Sequence, residues 1–250
     1  MALRDLLKDP GHYLRTRGSL TRDLVLRLGE LANKRRPEHT WPELLEAINA
    51  FSGGFFRSTQ KDGEIIEAMM AVEELRPGRV LEIGTYQGGT FFLLSRAARS
   101  DAIMISLDLP GGFGGGGYSA WKTAVFNRLI MPGQRAHFLR CDSHEDSSRK
   151  EVERLLGGAP LDVLFIDGDH SYEGVKRDFL LYSGLVRPEG LVLFHDIGEN
   201  PPVASTEVSR FWREIKAEWD TRELLEKPGQ GYGIGIIKMP AAPAGPLSGS

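Results

Sequence analysis

One cysteine among 250 residues, Cys141, excludes an internal disulfide framework and fits a reducing compartment, with Cys141 itself expected to be a small core residue. An excess of one charge is also missing, since 31 basic residues against 34 acidic ones leave a formal net charge of -3. The two signs interleave, so there is no broad electrostatic footprint for nucleic acid. Short basic clusters such as Lys34-Arg35-Arg36 read as solvated helix ends. No apolar run approaches the ~20 residues that span a bilayer, and Met1-Ala2-Leu3-Arg4-Asp5 does not open an apolar secretory core. The chain is therefore expected to be cytoplasmic, without a membrane partner.

What is present is an alternation. From about residue 79 the chain alternates strand-like segments at 79–83, 102–108, 135–140, 161–166 and 191–195 with helical patterns at 89–99, 119–130, 146–156 and 172–185, and the continuous apolar runs Leu161–Ile166 and Leu191–Phe194 are expected as buried parallel strands. Such a pattern gives an α/β fold, a doubly wound, Rossmann-like sheet of five parallel strands with helices on both faces. A helix over 206–219 and strands near 222–226 and 233–238 should follow. The turn Lys227-Pro228-Gly229-Gln230-Gly231 marks those strands as a C-terminal antiparallel hairpin at the sheet edge. Residues 1–57 are expected to be an N-terminal helical cap with helices over 20–33 and 41–50, residues 58–240 the main domain opening with a helix over 62–75, and 241–250 a flexible tail.

In open α/β sheets ligands bind at the carboxyl ends of the strands. At the first of these ends Gly84-Thr85-Tyr86-Gln87-Gly88-Gly89-Thr90 enters a helix, and its glycines would let a ligand approach the backbone. Tyr86 stands where a dinucleotide fingerprint needs its second glycine, so a pyrophosphate is disfavoured. The second strand ends in Asp108, placed to accept from two ribose hydroxyls, and the third leads into Cys141-Asp142-Ser143-His144, which could hold an adenine amino group. Together these ends point to an adenosine ligand. At the fourth and fifth ends Asp167, Asp169, His170, His195 and Asp196 converge on the same mouth. Those residue types bind a metal or move a proton.

The segments Glu82-Ile83-Gly84-Thr85-Tyr86-Gln87-Gly88 and Asp142-Ser143 resemble those of class I S-adenosylmethionine-dependent methyltransferases. Within that class, Asp167-Gly168-Asp169-His170-Ser171-Tyr172-Glu173-Gly174-Val175 and Phe194-His195-Asp196 are similar to the metal-dependent O-methyltransferases of sugars and antibiotic precursors, including macrolide-sugar and cephalosporin-pathway enzymes. The resemblance covers roughly residues 58–238. It implies that Glu82, Gly84 and Gly88 surround the methionine and ribose parts of S-adenosylmethionine, with Asp108 on the ribose and Asp142 and Ser143 near the adenine, and Gln60, Thr85, Thr90, Leu109 and Asp167 are further candidate cofactor-binding residues. It further implies Asp167, His195 and Asp196 as ligands of Mg²⁺ or Mn²⁺ and His170 as the general base, although His195 stands where many members carry a carboxylate. The implied acceptor is a hydroxyl of a small molecule, chiefly a sugar or glycosylated metabolite, and the enzyme would be a homodimer through its N-terminal helices.

Two other functions fit parts of this pattern. His170, His195 and one aspartate form the two-histidine, one-carboxylate set of Fe(II) oxygenases. A non-catalytic cofactor-binding protein would retain the adenosine-type strand ends alone. Beyond these residues, the glycine-rich loop 111–117 reads as a lid with Phe113 or Tyr118 as its contact, and Phe51-Ser52-Gly53-Gly54-Phe55-Phe56-Arg57 as core packing or a wall of the acceptor pocket.

Overall fold

A computed structural model describes residues 27–111, 117–201, 203, 205–227, 229 and 231–241. Phe113, most of the glycine-rich loop and all but the first residue of the expected tail fall outside those residues. So does the first part of the helix expected over 20–33, of which residues 27–33 are helical.

After this first described helix, residues 27–33, come helices α1 (Trp41–Ala50) and α2 (Asp62–Leu75). A capping box starts α1, where the Thr40 hydroxyl accepts from the Glu43 amide and the Glu43 carboxylate accepts from the Thr40 amide. There follow β1 (Arg79–Ile83), α3 (Gly89–Ala97), β2 (Ile103–Asp108), α4 (Trp121–Leu129), β3 (Arg135–Arg140), α5 (Asp146–Leu156), β4 (Leu161–Ile166), α6 (Tyr172–Tyr182) and β5 (Val186–His195). Helix α7 (Val208–Ile215), β6 (Asp220–Leu224) and β7 (Ile234–Lys238) complete the order. The seven strands form one sheet in the order β3-β2-β1-β4-β5-β7-β6, in which β1 to β5 are parallel and β7 is antiparallel to both of its neighbours. From β1 the chain winds outward to β2 and β3, then returns to β4 on the other side. The switch point therefore lies between β1 and β4.

Two boundaries differ from expectation for a physical reason. Strand β5 begins at Val186, ahead of Pro188-Glu189-Gly190, a segment whose composition reads as a turn. The strand passes through by a register shift against β4 and a left-handed Glu189, with φ of 61°. The hairpin forms, but its second strand takes the inner place. Ile234, Ile236 and Ile237 of β7 are buried, whereas Arg222 and Glu223 of β6 are exposed, so the apolar strand is covered on both sides and the polar one forms the edge.

Alternation along the strands feeds two apolar layers. Val80, Met104, Phe165 and Leu193 pack toward α1, α2, α3 and α4. Leu81, Ile105, Ile166 and Phe194 pack toward α5, α6 and α7. Helix α1 shares the first layer through Trp41, Leu44 and Ile48, so the N-terminal helices and the sheet have one core in common. In the described residues no helix is long and apolar enough to cross a membrane.

Candidate active site

The hydrogen-bond ladder runs one residue beyond the switch-point strands. The Asp167 amide donates to the Ile83 carbonyl (2.8 Å), and the Gly84 amide to that of Leu107 (2.9 Å). Gly84, at φ of 88°, lies so close to the Asp167 backbone that an added methyl group would overlap the Asp167 carbonyl. Gly88 similarly faces the Phe126 ring and Gly89 the backbone at Arg57 and Ser58. The sequence assigned these glycines' room to a ligand; here it is taken by the protein itself, which closes up beneath the turn. Above the turn opens a cleft of about 670 Å³ at the carboxyl edge of the sheet.

At one end of the cleft lie Asp108 and Leu109, then Asp142, Ser143 and His144. One Asp108 oxygen accepts from the Tyr86 amide (2.7 Å) and the other from the Leu109 amide (2.8 Å), which fixes the carboxylate and leaves each oxygen a further lone pair. Burial pushes Asp108 above the usual carboxylate range. Gly84, Thr85, Thr90 and Gln60 line the middle of the cleft. Glu82 and Gly88 do not. Glu82 lies beneath the floor, 1% exposed, with neither carboxylate oxygen hydrogen-bonded, and burial pushes its pKa well up. A buried unpaired acceptor at this depth fits a cationic ligand group such as an ammonium.

Asp167 and His170 face the cleft at its other end. Asp167 Oδ2 accepts from Gln60 Nε2 (2.7 Å), while Gln60 Oε1 accepts from the Thr90 hydroxyl (2.7 Å), so Gln60 ties the start of α3 to the carboxylate. Asp167 Oδ1 stands 3.3 Å from His170 Nε2 and 3.1 Å from His195 Nδ1. His170 Nδ1 is in turn 3.3 Å from Asp196 Oδ2. The imidazole of His170 thus bridges two carboxylates. Its bond to Asp167, helped by both charges, raises its pKa to about 9. For Asp167, burial opposes ionisation, but the two imidazoles prevail and hold it at about 2. Asp196 is raised by burial.

Ligand atoms of Asp167, His170 and Asp196 all lie within 4.8 Å of one another. The expected trio had His195 in place of His170. His195 shares the strand parity of Leu191 and Leu193, which turns it toward the α2 face, and it is 5% exposed with Nε2 buried and unpartnered. Asp196 swings back to the cluster because its backbone is left-handed, with φ of 63°. Neither His195 nor Asp196 lines the cleft itself, although both reach the Asp167–His170 cluster from behind it. Asp169 does line it, yet its Oδ1 accepts from the Ser171 amide (2.9 Å), the arrangement of a helix-start carboxylate.

Several other placements depart from the sequence reading. Cys141 is half-buried at the cleft rather than in the core. Tyr118 is 2% exposed, with its hydroxyl against Ser106 (2.9 Å), so it anchors the described end of the loop to β2 instead of covering a ligand. Phe51 and Phe56 pack in the core, while Phe55 is exposed beside Trp121. Arg57, the end of the stretch read as core packing or a pocket wall, lines the cleft, as do Tyr86 and the segment carrying Ser205 and Thr206, which had not been singled out for it. Only the position of Ser205 and Thr206 just past the β5 end marked them in the sequence.

Residues 81–197, which span this whole strand-end array, match a family model described as a methyltransferase domain. Among curated proteins, the uncharacterised protein y4gI of Sinorhizobium fredii is 26% identical over 172 residues, 68% of this chain and 18% of that protein. The chain thus spans less than a fifth of that relative's length. Among solved structures, the O-methyltransferase TomG of Streptomyces achromogenes, involved in tomaymycin synthesis and bound to S-adenosylmethionine, matches at 17% identity and a TM-score of 0.52, covering 76% of this chain and 83% of TomG. An O-methyltransferase of Bacillus cereus, bound to S-adenosylhomocysteine, matches at 18% identity and a TM-score of 0.53, covering 79% and 90%. Residues 81–197 thus match a methyltransferase-domain model, and the fold is the one seen in these two O-methyltransferase structures.

Proposed function

We propose that the chain is an O-methyltransferase that moves a methyl group from S-adenosylmethionine to a hydroxyl of a small acceptor, a sugar or glycosylated metabolite, with help from a divalent cation. The observation that carries this is a single cleft with an acidic strand end, Asp108, at one side and an imidazole between two carboxylates at the other. In the two structural neighbours the same fold holds S-adenosylmethionine or its product.

In this reading the free lone pairs of Asp108 accept from the ribose hydroxyls, Asp142 and Ser143 border the adenine, and buried Glu82 offsets the methionine ammonium. The cofactor supplies a methyl group on a sulfonium, which a positioned oxygen displaces in line. In its neutral form, populated as pH rises toward its pKa of about 9, His170 takes the acceptor's hydroxyl proton as the carbon–oxygen bond forms and the carbon–sulfur bond breaks, which leaves an ether, S-adenosylhomocysteine and an imidazolium. Asp167 and Asp196, 3.3 Å from the two ring nitrogens, stabilise that imidazolium. Two hard carboxylate oxygens beside one imidazole suit Mg²⁺ or Mn²⁺. Held by Asp167 and Asp196, such an ion would supply Lewis acidity that lowers an acceptor hydroxyl's pKa.

The test is transfer of labelled methyl from S-adenosylmethionine to a panel of glycosides and free sugars, with chelator and with Mg²⁺ or Mn²⁺ restored. Labelled ether that disappears with chelator and returns with the ion is the expected result. Tight S-adenosylhomocysteine binding without transfer to any hydroxylated acceptor would favour the non-catalytic protein, and turnover indifferent to chelator would remove the metal.

A further inference from the structure

Asp178, on α6, is 0% exposed, and neither of its carboxylate oxygens completes a hydrogen bond. A buried carboxylate without such partners is costly and calls for a compensating charge. The basic group within ion-pair distance, among the described residues, is the imidazole of His144, whose Nε2 stands 3.4 Å from Asp178 Oδ1 and 3.2 Å from the Gly174 carbonyl. His144 lines the adenosine end of the cleft.

The same helix grips the loop at further points. Arg177 donates to the His144 carbonyl (2.7 Å) and the Tyr182 hydroxyl to the Ser143 carbonyl (2.8 Å), while Ser148 of α5 holds the Asp142 carbonyl (2.6 Å). Three consecutive carbonyls are thus fixed from outside the loop, and the pair of His144 with Asp178 is its side-chain anchor. Around the imidazole stand Asp178, Asp142 with Oδ1 at 3.9 Å, Asp169 at longer range, and the guanidinium of Arg177 on its own carbonyl. The interaction with Asp178 raises the pKa of His144 against the opposing effect of burial.

We propose that Asp178 is a positioning residue for the cofactor. It holds a protonated His144, which sets Asp142 and Ser143 at the adenine, so that cofactor affinity weakens as rising pH removes that proton. The inference rests on the adenosine-binding role of the cleft. The sign follows from the raised pKa: the anchored loop is the low-pH form, and it is lost as pH rises through the pKa of His144.

The experiment titrates the full-length protein with 5′-methylthioadenosine, which carries neither the ammonium nor the carboxylate of the cofactor, from pH 6 to pH 9. The wild-type affinity should fall with rising pH. In His144→Gln the profile should flatten, and in Asp178→Asn its midpoint should move to lower pH. Both variants should raise KM for S-adenosylmethionine about tenfold and leave kcat within about twofold, a split that general loss of folding would not give. If Asp178→Asn does not fold, His144→Gln decides alone. A pH-independent wild type that binds the nucleoside, or a His144→Gln protein with the wild-type profile, overturns the positioning role and leaves the methyltransferase reading standing. Failure of the wild type to bind S-adenosylhomocysteine at any pH overturns both.

Discussion

Asp167 gathers more of the site's bonds than any other side chain, with Gln60 on one oxygen and His170 and His195 on the other. Its neighbour His170 is the member of the group that is both exposed to the cleft and able to exchange a proton there. Replacing His170 by Ala should therefore lower kcat by roughly 10²- to 10⁴-fold, the usual worth of a general base, with the affinity for S-adenosylhomocysteine little changed. Rapid-quench methyl transfer alongside calorimetric binding measures both, and a variant with wild-type kcat would remove His170 from the chemistry. Gly84 answers to a different constraint. In Gly84→Ala the new methyl group meets the Asp167 carbonyl and sits on a left-handed backbone, at a combined cost of roughly 2–5 kcal/mol. Denaturant unfolding should show that loss even without cofactor; a variant as stable as the parent would mean that the β1 and β4 ends can separate freely.

Elements of this fold were legible where one residue pattern had one structural solution. The apolar run of β4 reads as a buried parallel strand and is one, and Asp167-Gly168-Asp169-His170 follows directly at its end, whereas β3 lies at the sheet edge with no residue fully buried. Less could be read where the tertiary setting decides. Nothing local says that His195 meets Asp167 while Asp196 meets His170, because the arrangement depends on strand parity and one left-handed residue. The same holds for Arg96 on α3, whose sequence neighbours give it no acidic partner. It is 4% exposed and donates to the carbonyls of Leu31, Ala32, Lys34 and Leu129 and to the Ser95 hydroxyl. Burial disfavours its charge, yet a guanidinium with its donors so fully used stays protonated. It pins the end of the first described helix and the end of α4 to α3. Arg96→Met would strip four carbonyls of this donor and should cost roughly 2–4 kcal/mol by thermal or urea unfolding, with Arg96→Lys recovering part of the loss. An unchanged midpoint in Arg96→Met would show that water reaches those carbonyls.

At the scale of the whole molecule, the sheet order turns separate sequence segments into one site. The switch between β1 and β4 puts Gly84 against Asp167, and the parallel register places Asp108 and Asp142 on the same edge. The acceptor's identity was not legible, because part of the cleft lining comes from segments outside any strand pattern, such as Arg57 and Thr206. One measurement weighs the assembly as a unit. A ligand that binds only the folded chain stabilises it by RT ln(1 + [L]/Kd), about 2.7 kcal/mol at a hundredfold excess over Kd. For a chain of this size each kcal/mol moves Tm by roughly 2–4 °C, so S-adenosylhomocysteine at that excess should raise Tm by roughly 5–11 °C. The Asp108 and Asp142 end of the cleft lies past β2 and β3, and the Asp167 and His170 end past β4. The shift should therefore appear as displacement of one cooperative transition, whereas a second transition left in place would show that the two ends unfold independently.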